Sequence, residues 1–290
     1  LPDPAAAAEA LRRDPRGPDL LSFIQRPPET GRSCPYHVEM DHVAAIPIST
    51  FENWFEKQVI KKVRKNVRRS QKYGVTVRRV EFNDDLVRGF VEIYREVPMR
   101  SGRPFRHYND DFETCKRKYA TFLDRSVFLG AYHEERLIGF IKMVIAGKTG
   151  RTMQFISLDE YRDFSPANAL LAEAVKTCVA EGLQYLVYGK LTYGNAGNAG
   201  LEEFKRANGF QRLEYPRYYV PLTRLGRFAL ATGLHRDLID LLPAGLLRLA
   251  RAARTRYYLL RHAPQMQAHE KRVRTAQQQS TETAKCLPGA

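Results

Sequence analysis

The order of apolar and polar segments predicts an α/β (α+β) fold, with a mixed, mostly antiparallel central sheet flanked by helices. Two observations carry this. Three strand-like runs follow one another at 126–134, 136–147 and 151–160, the first two joined by a short polar turn as in a hairpin. From 151 onward the pattern instead alternates strand, helix, strand, helix, strand to residue 220. A meander that runs into crossovers places all of these strands in one sheet.

The elements read in order. Residues 1–35 hold seven of the sixteen prolines among scattered Arg and Ala, a composition that predicts a disordered lead. Residues 36–48 read as an extended segment. Ser49 and Glu52 have capping-box spacing, and Phe51, Phe55, Val59, Val63 and Val67 recur every four residues on one helical face. Lys61, Lys62, Arg64, Lys65, Arg68 and Arg69 cover the rest of that helix. Gly74 stops it, 75–82 reads as a strand, and Asp84 and Asp85 open a helix over 84–97. A loop at 102–111 and a helix at 111–124 lead into the three strands. A helix over 166–181, a buried-type strand over 183–190, a helix near 198–208 and a last strand near 210–220 complete the body. One domain is therefore expected over 36–221, and a basic helical tail with a disordered end over 222–290.

The net charge of +15 is unevenly placed. Residues 57–79 carry ten Lys and Arg and no acid, and 222–290 carry twelve against four acids. The remainder holds 25 bases and 28 acids, so the body is near neutral and two surfaces are positive. Such surfaces suit phosphates, RNA, an acidic glycan or a membrane face. No apolar run approaches bilayer length and nothing near the start resembles a secretory signal. The four cysteines, Cys34, Cys115, Cys178 and Cys286, have neither zinc nor disulfide spacing, which predicts a reducing cytoplasm. No histidine pattern supports a metal site.

The chemistry concentrates in RDFSPANALLAEAVKTC, 162–178. Ser165 has the character of an N-cap and Pro166 suits the first helical turn. A helix beginning at a strand end directs free backbone N–H groups, here those of Ala167, Asn168 and Ala169, at whatever lies in front, and Arg162 adds a charge-assisted contact. The same residues also describe a capped helix packing Leu170, Leu171, Ala174 and Val175 on a sheet.

The element order over 75–221 and the turn Arg162-Asp163-Phe164-Ser165-Pro166-Ala167 resemble the GNAT acyltransferase superfamily. Its pyrophosphate loop reads Gln/Arg-x-x-Gly-x-Gly/Ala, so Arg162 and Ala167 match while Ser165 replaces the central Gly. NAGLEEFKRANGF, 198–210, and the basic stretch 61–75 resemble the Fem-type branch, which includes aminoacyl-tRNA-dependent transferases and polysaccharide-associated proteins. The resemblance implies acyl-CoA (acetyl-CoA) as co-substrate, held where the fourth family strand splays from the fifth, with Asn198 beside it and no metal. It implies carbonyl-polarising backbone near Ser157 and Leu158, and an acceptor over the loop carrying Arg103, Arg106, His107 and Tyr108. That cluster suits a sugar phosphate or carboxylate.

An acyl transfer to an amine needs a proton acceptor, and Asp159 or Glu160 at the strand end has that chemistry. CoA-using members carry a Tyr on the last helix to protonate the thiolate. Here Phe204 and Lys205 stand at that turn, which leaves Lys205 or Tyr193 for the role. Tyr188 and Asn195 lie at the same cleft.

The resemblance thus implies an N-acyltransferase acting on an amine acceptor, a small molecule or a cell-envelope glycan precursor. The alternatives are a Fem-type transferase using charged tRNA and a non-catalytic RNA- or membrane-binding module. In the tail, 241–262 places apolar residues at helical spacing among five arginines, a pattern for an anionic membrane face or for self-packing, and the tail is expected to be peripheral to the body.

Overall fold

The computed structural model describes residues 3–25, 31, 33–100, 102–192, 199–236 and 244–286. Ten strands and ten α-helices are described. The strands are β1 (Leu20–Ile24), β2 (His37–Pro47), β3 (Val75–Val80), β4 (Met99–Arg100), β5 (Arg103–Pro104), β6 (Ser126–His133), β7 (Arg136–Ala146), β8 (Thr149–Ser157), β9 (Tyr185–Val187) and β10 (Gln211–Pro221). The helices are α1 (Pro4–Arg13), α2 (Phe51–Asn53), α3 (Lys61–Lys72), α4 (Asp84–Tyr94), α5 (Phe112–Tyr119), α6 (Pro166–Ala180) and α7 (Ala199–Ala207). After the body come α8 (Arg224–Thr232), α9 (Ala244–Arg261) and α10 (Ala263–Cys286).

Eight strands form one sheet in the order β1-β10-β2-β9-β8-β7-β6-β3, and β4 pairs with β5 apart from it. Every neighbour in the large sheet is antiparallel except β8 and β9, which α6 joins by a crossover. The predicted mixed, mostly antiparallel sheet is the observed one.

Strand alternation decides which helix covers which face. On β7, a Cβ at Gly139 would meet Leu170 of α6 at 3.1 Å, and Met143 touches Cys178 of the same helix. The intervening Phe140 stacks on Phe90 of α4 at 3.8 Å between ring centroids. Helix α6, with α3 against it, therefore covers one face, and α4 with α5 the other. β7 is buried on both sides. Lys142 reaches the backbone carbonyls of Tyr119 and Thr121, so its ammonium is satisfied inside the second layer.

Several expectations are corrected. The lead is not without structure: α1 is capped by the Asp3 carboxylate, and β1 pairs with β10 along its length. The cap before residue 51 is Thr50, whose hydroxyl accepts from the Asn53 N–H, and not Ser49 with Glu52. The single long helix expected from the four-residue repeat is two. A π-helical turn, Trp54–Gln58, ends at Val59 and Ile60, both extended. Arg64 from the next helix donates to the carbonyls of Phe55, Glu56 and Val59, which supplies partners for that broken end.

The tail is helical as expected but is not peripheral. Helix α9 packs against β5, and α10 against the turn at 162–164. His262 meets Tyr108 edge-on at 5.6 Å, and Arg272 donates to the Glu96 carbonyl at 3.1 Å. No helix among the described residues is long and apolar enough to cross a membrane.

Candidate active site

The cleft begins with one extra residue in β8. Lys142 pairs with Gln154 and Met143 with Thr152, so Met153 is a bulge. A bulge bends its strand and raises the local twist. Pairing of β8 with β9 ends at Arg151–Val187, immediately before it. Beyond that point no pairing joins the two strands, and side chains line the space between them. Phe155 lies 5.6 Å from Tyr188 and 5.8 Å from Phe204, ring to ring. Lys205 is fully buried behind them. Its ammonium donates to the Lys190 carbonyl at 2.7 Å and sits 4.3 Å over the Tyr188 ring. Burial lowers its pKa to about 8. A solvated surface lysine is thereby excluded, and the Phe204-Lys205 pair is placed in the cleft wall. Tyr193, Asn195 and Asn198 lie outside the described residues.

The turn that opens α6 differs from a capped helix start. Ser165 has φ 58° and ψ 40°, the left-handed region, and its side chain makes no cap bond. Glycine adopts that conformation without a Cβ penalty, which is the physical reason for a Gly at this place in the motif. The amides expected to face an anion are partly engaged. Those of Asn168 and Ala169 turn back on the Ser165 carbonyl, and that of Ser165 donates to Arg162.

Asn168 is a structural residue. Its side-chain oxygen accepts from Asn66 of α3 and its amide donates to Asn208, both at 3.1 Å. Tyr73, at the end of α3, stacks on Phe164 at 4.8 Å. Among the described residues the Asp163 and Ala167 amides have no partner, and Arg162 is exposed beside them. Those three groups are what the turn offers to an anion, fewer than the sequence suggests.

The strand end carries the acids. Leu158 donates its N–H to the Ile138 carbonyl at 2.8 Å within the sheet, so it cannot polarise a donor carbonyl. Alternation then turns the Ser157 N–H to the open edge of β8. One of the two expected backbone donors therefore remains.

The Ser157 carbonyl accepts from Arg100 at 2.8 Å, and the same guanidinium donates to the Glu96 carboxylate at 2.6 Å. The other Glu96 oxygen accepts from the Glu160 N–H at 3.0 Å. Burial raises the Glu96 pKa, and the Arg100 charge opposes that rise without cancelling it. Glu160 is itself enclosed and paired with Arg136 at 2.6 Å. Asp159 is the acid that stays open, half-exposed and 3.8 Å from Arg100.

The expected acceptor cluster does not converge. His107 turns inward, stacks on Tyr94 at 5.0 Å and pairs with Asp110 at 2.7 Å. Burial lowers its pKa, so it is a neutral packing residue. Arg103 and Arg106 are exposed, and Tyr108 faces the tail through His262.

Sequence reasoning missed Glu96, Arg100, Arg136, His269 and Arg272. The spacing of four between Glu96 and Arg100 is an available signal for one pair. Nothing local marks the others, because their partners are distant in sequence. Among the described residues no cluster of His, Cys, Asp and Glu could hold a metal.

A bulged fourth strand of the meander, splayed from the strand beyond a crossover helix whose first turn is left-handed, is the arrangement that the sequence resemblance implies. The model of the acetyltransferase (GNAT) domain matches residues 57–206. The chain belongs to the GNAT acetyltransferase family.

Among solved structures, FemX aligns at a TM-score of 0.51 with 14% identity, covering 67% of this chain and 65% of FemX. The chain thus spans less than two thirds of that relative, and at this identity the likeness is one of fold. L-PGS from Bacillus licheniformis aligns at 0.44 with 12% identity, over 67% of this chain and 65% of its own. The PaiA N-acetyltransferase from Thermoplasma acidophilum, in complex with coenzyme A, aligns at 0.36 with 17% identity, over 48% and 98%. Comparison with curated proteins returns no match.

Proposed function

We propose that this GNAT-family domain transfers an acyl group from acyl-CoA to an amine, on a small molecule or a glycan precursor of the cell envelope, in the cytoplasm. The observation that carries the reading is the cleft opened by the Met153 bulge, which leads to the left-handed turn at Ser165. The donor phosphates would meet Arg162 and the Asp163 and Ala167 amides, and the acyl carbonyl would lie along the open edge near the Ser157 N–H. That N–H would then face the oxygen that gains charge in the tetrahedral intermediate. Asp159, as the open carboxylate, holds the acceptor's ammonium. Lys205, an ammonium with a pKa near that of a leaving thiolate, stands in the wall where a proton or a positive charge is wanted.

A second reading, a charged tRNA as donor, is favoured by one specific feature. The ten bases of 57–79 surround α3, which packs on α6 beside the turn, while two of the expected phosphate-binding amides are engaged. Calorimetric titration with CoA and with total tRNA, each at two salt concentrations, separates the two. CoA binding that changes little with salt supports the first reading. tRNA binding that weakens steeply with salt and no CoA binding supports the second. Silence in both titrations refutes the donor site.

A further inference from the structure

The tail helix α10 lies across the acid cluster, and this contact has a chemistry of its own. Arg272 anchors it, through the 3.1 Å bond to the Glu96 carbonyl, and the helix packs on the 162–164 turn. One turn earlier on the same face stands His269. It is 7% exposed, the most enclosed among the residues of that helix whose burial is described. Its Nδ1 is buried and has no hydrogen-bond partner among the described residues.

A buried ring nitrogen left unpaired is destabilising, so the position is unfavourable unless something else completes it. The charged groups facing the ring are Asp159 and Glu160 at the end of β8, Arg100 after α4, and Arg272 on its own helix. Arg100 lies 3.8 Å from Asp159 and Arg136 pairs with Glu160, which fixes both carboxylates beside the ring.

We propose that His269 accepts the proton of the acceptor's ammonium at the end of β8, so that the tail helix is a working wall of the transfer site. The proposal rests on the amine-acyl-transfer reading above. In that step the ammonium, held by Asp159, gives one proton to the imidazole. The freed nitrogen bonds to the donor carbonyl carbon as the carbon–sulfur bond of a thioester, or the carbon–oxygen bond of an ester, breaks. The second nitrogen proton leaves with the departing thiolate or alkoxide, and the imidazolium returns its proton to solvent.

The neighbouring carboxylic acids are less suited. Glu160 is engaged by Arg136, and Glu96 is closed in by Arg100 and the Glu160 N–H. Burial lowers the His269 pKa, the two acids opposing and the two arginines adding to that shift, so the ring is neutral and able to accept a proton near pH 7.

The test uses the full-length chain and its His269→Gln variant, with glycinamide as the probe amine. The imidazole signals of His269, identified by their loss in the variant, are followed by NMR as pH is varied and as glycinamide is added. Transfer from acetyl-CoA and from charged tRNA to glycinamide is measured across the same pH range. The expected results are a His269 pKa below 6.5, a signal that moves on adding glycinamide, and a kcat that falls about 10²- to 10⁴-fold in His269→Gln. Donor affinity should be unchanged, and the acidic limb of the pH–rate profile should disappear. A His269 signal unmoved by millimolar glycinamide overturns the proposal. So does a variant that keeps both the wild-type kcat and its acidic limb. If the wild type transfers from neither donor, the acyl-transfer reading fails by itself, and the glycinamide titration alone decides whether His269 faces an amine site.

Discussion

Replacing Ser165 with alanine and with glycine separates a left-handed turn from an ordinary helix cap. At a cap, Ser→Ala costs about 1 kcal/mol and Ser→Gly only a few tenths, because alanine loses the side-chain acceptor. Ser165 has no cap bond to lose, and its φ of 58° puts the Cβ in the left-handed region. Alanine keeps that Cβ, so Ser165→Ala should change stability by less than about 0.5 kcal/mol. Glycine removes a left-handed penalty of about 1–2 kcal/mol. It also frees the unfolded chain, which offsets about 0.4–1 kcal/mol. The net expectation for Ser165→Gly is a gain of up to about 1.6 kcal/mol, centred near 0.8, with CoA binding preserved or tightened. Urea unfolding reads this as a shift of the midpoint at constant slope. An alanine variant losing 1 kcal/mol or more, with glycine no better than alanine, would return Ser165 to a conventional cap.

Arg162→Ala should weaken CoA binding by about 1.5–3 kcal/mol with little change in stability, since the side chain is exposed; calorimetry measures both binding and its loss. Lys205 gives a pH signature. Its folded pKa of about 8 lies below the ordinary 10.5, so between these values the unfolded chain binds more protons and stability rises with pH. Relative to Lys205→Met, the wild type should gain up to about 1.4 kcal/mol per pH unit across that window, and nothing further as pH falls below it. A parallel pair of stability curves would place Lys205 in solvent. Gly139→Ala should destabilise by about 1–3 kcal/mol, because the new Cβ meets the Ser157 Cβ at 2.9 Å and the Ile156 carbonyl at 3.0 Å. Since both lie on the cleft strand, thermal unfolding and CoA titration of this variant should fail together.

How legible the molecule was in its sequence differs from element to element. The strands β6, β7 and β8 and the helix α6 follow from hydrophobic period and flanking turns, which are local signals. Strand β1 was hidden because it forms only against β10, almost two hundred residues away, inside a proline-rich stretch. The break at Val59 and Ile60 was hidden because the four-residue repeat of apolar side chains continues through it, while the reason for the break is a tertiary set of bonds from Arg64. At the site, the turn was legible by motif but its conformation was not: Ser-Pro reads as a cap, and only the backbone shows a left-handed residue. Lys205 was legible in place but not in burial. Glu96 and Arg272 meet through a contact between the first half of the chain and its tail, which no local pattern encodes. The inward turn of His107 has the same cause, since Tyr94 and Asp110 claim the ring that the loop sequence offers outward.

In the proposed reaction the gap between β8 and β9 receives the donor. Hydrogen–deuterium exchange of the full chain, with and without saturating acetyl-CoA or tRNA, tests it most directly. Slowed exchange is expected at the open edge of β8, residues 152–157, and at the Asp163 and Ala167 amides, with β1 and β10 unchanged. Protection confined to α3, or to the β1–β10 edge, with 152–157 unaffected, would contradict it.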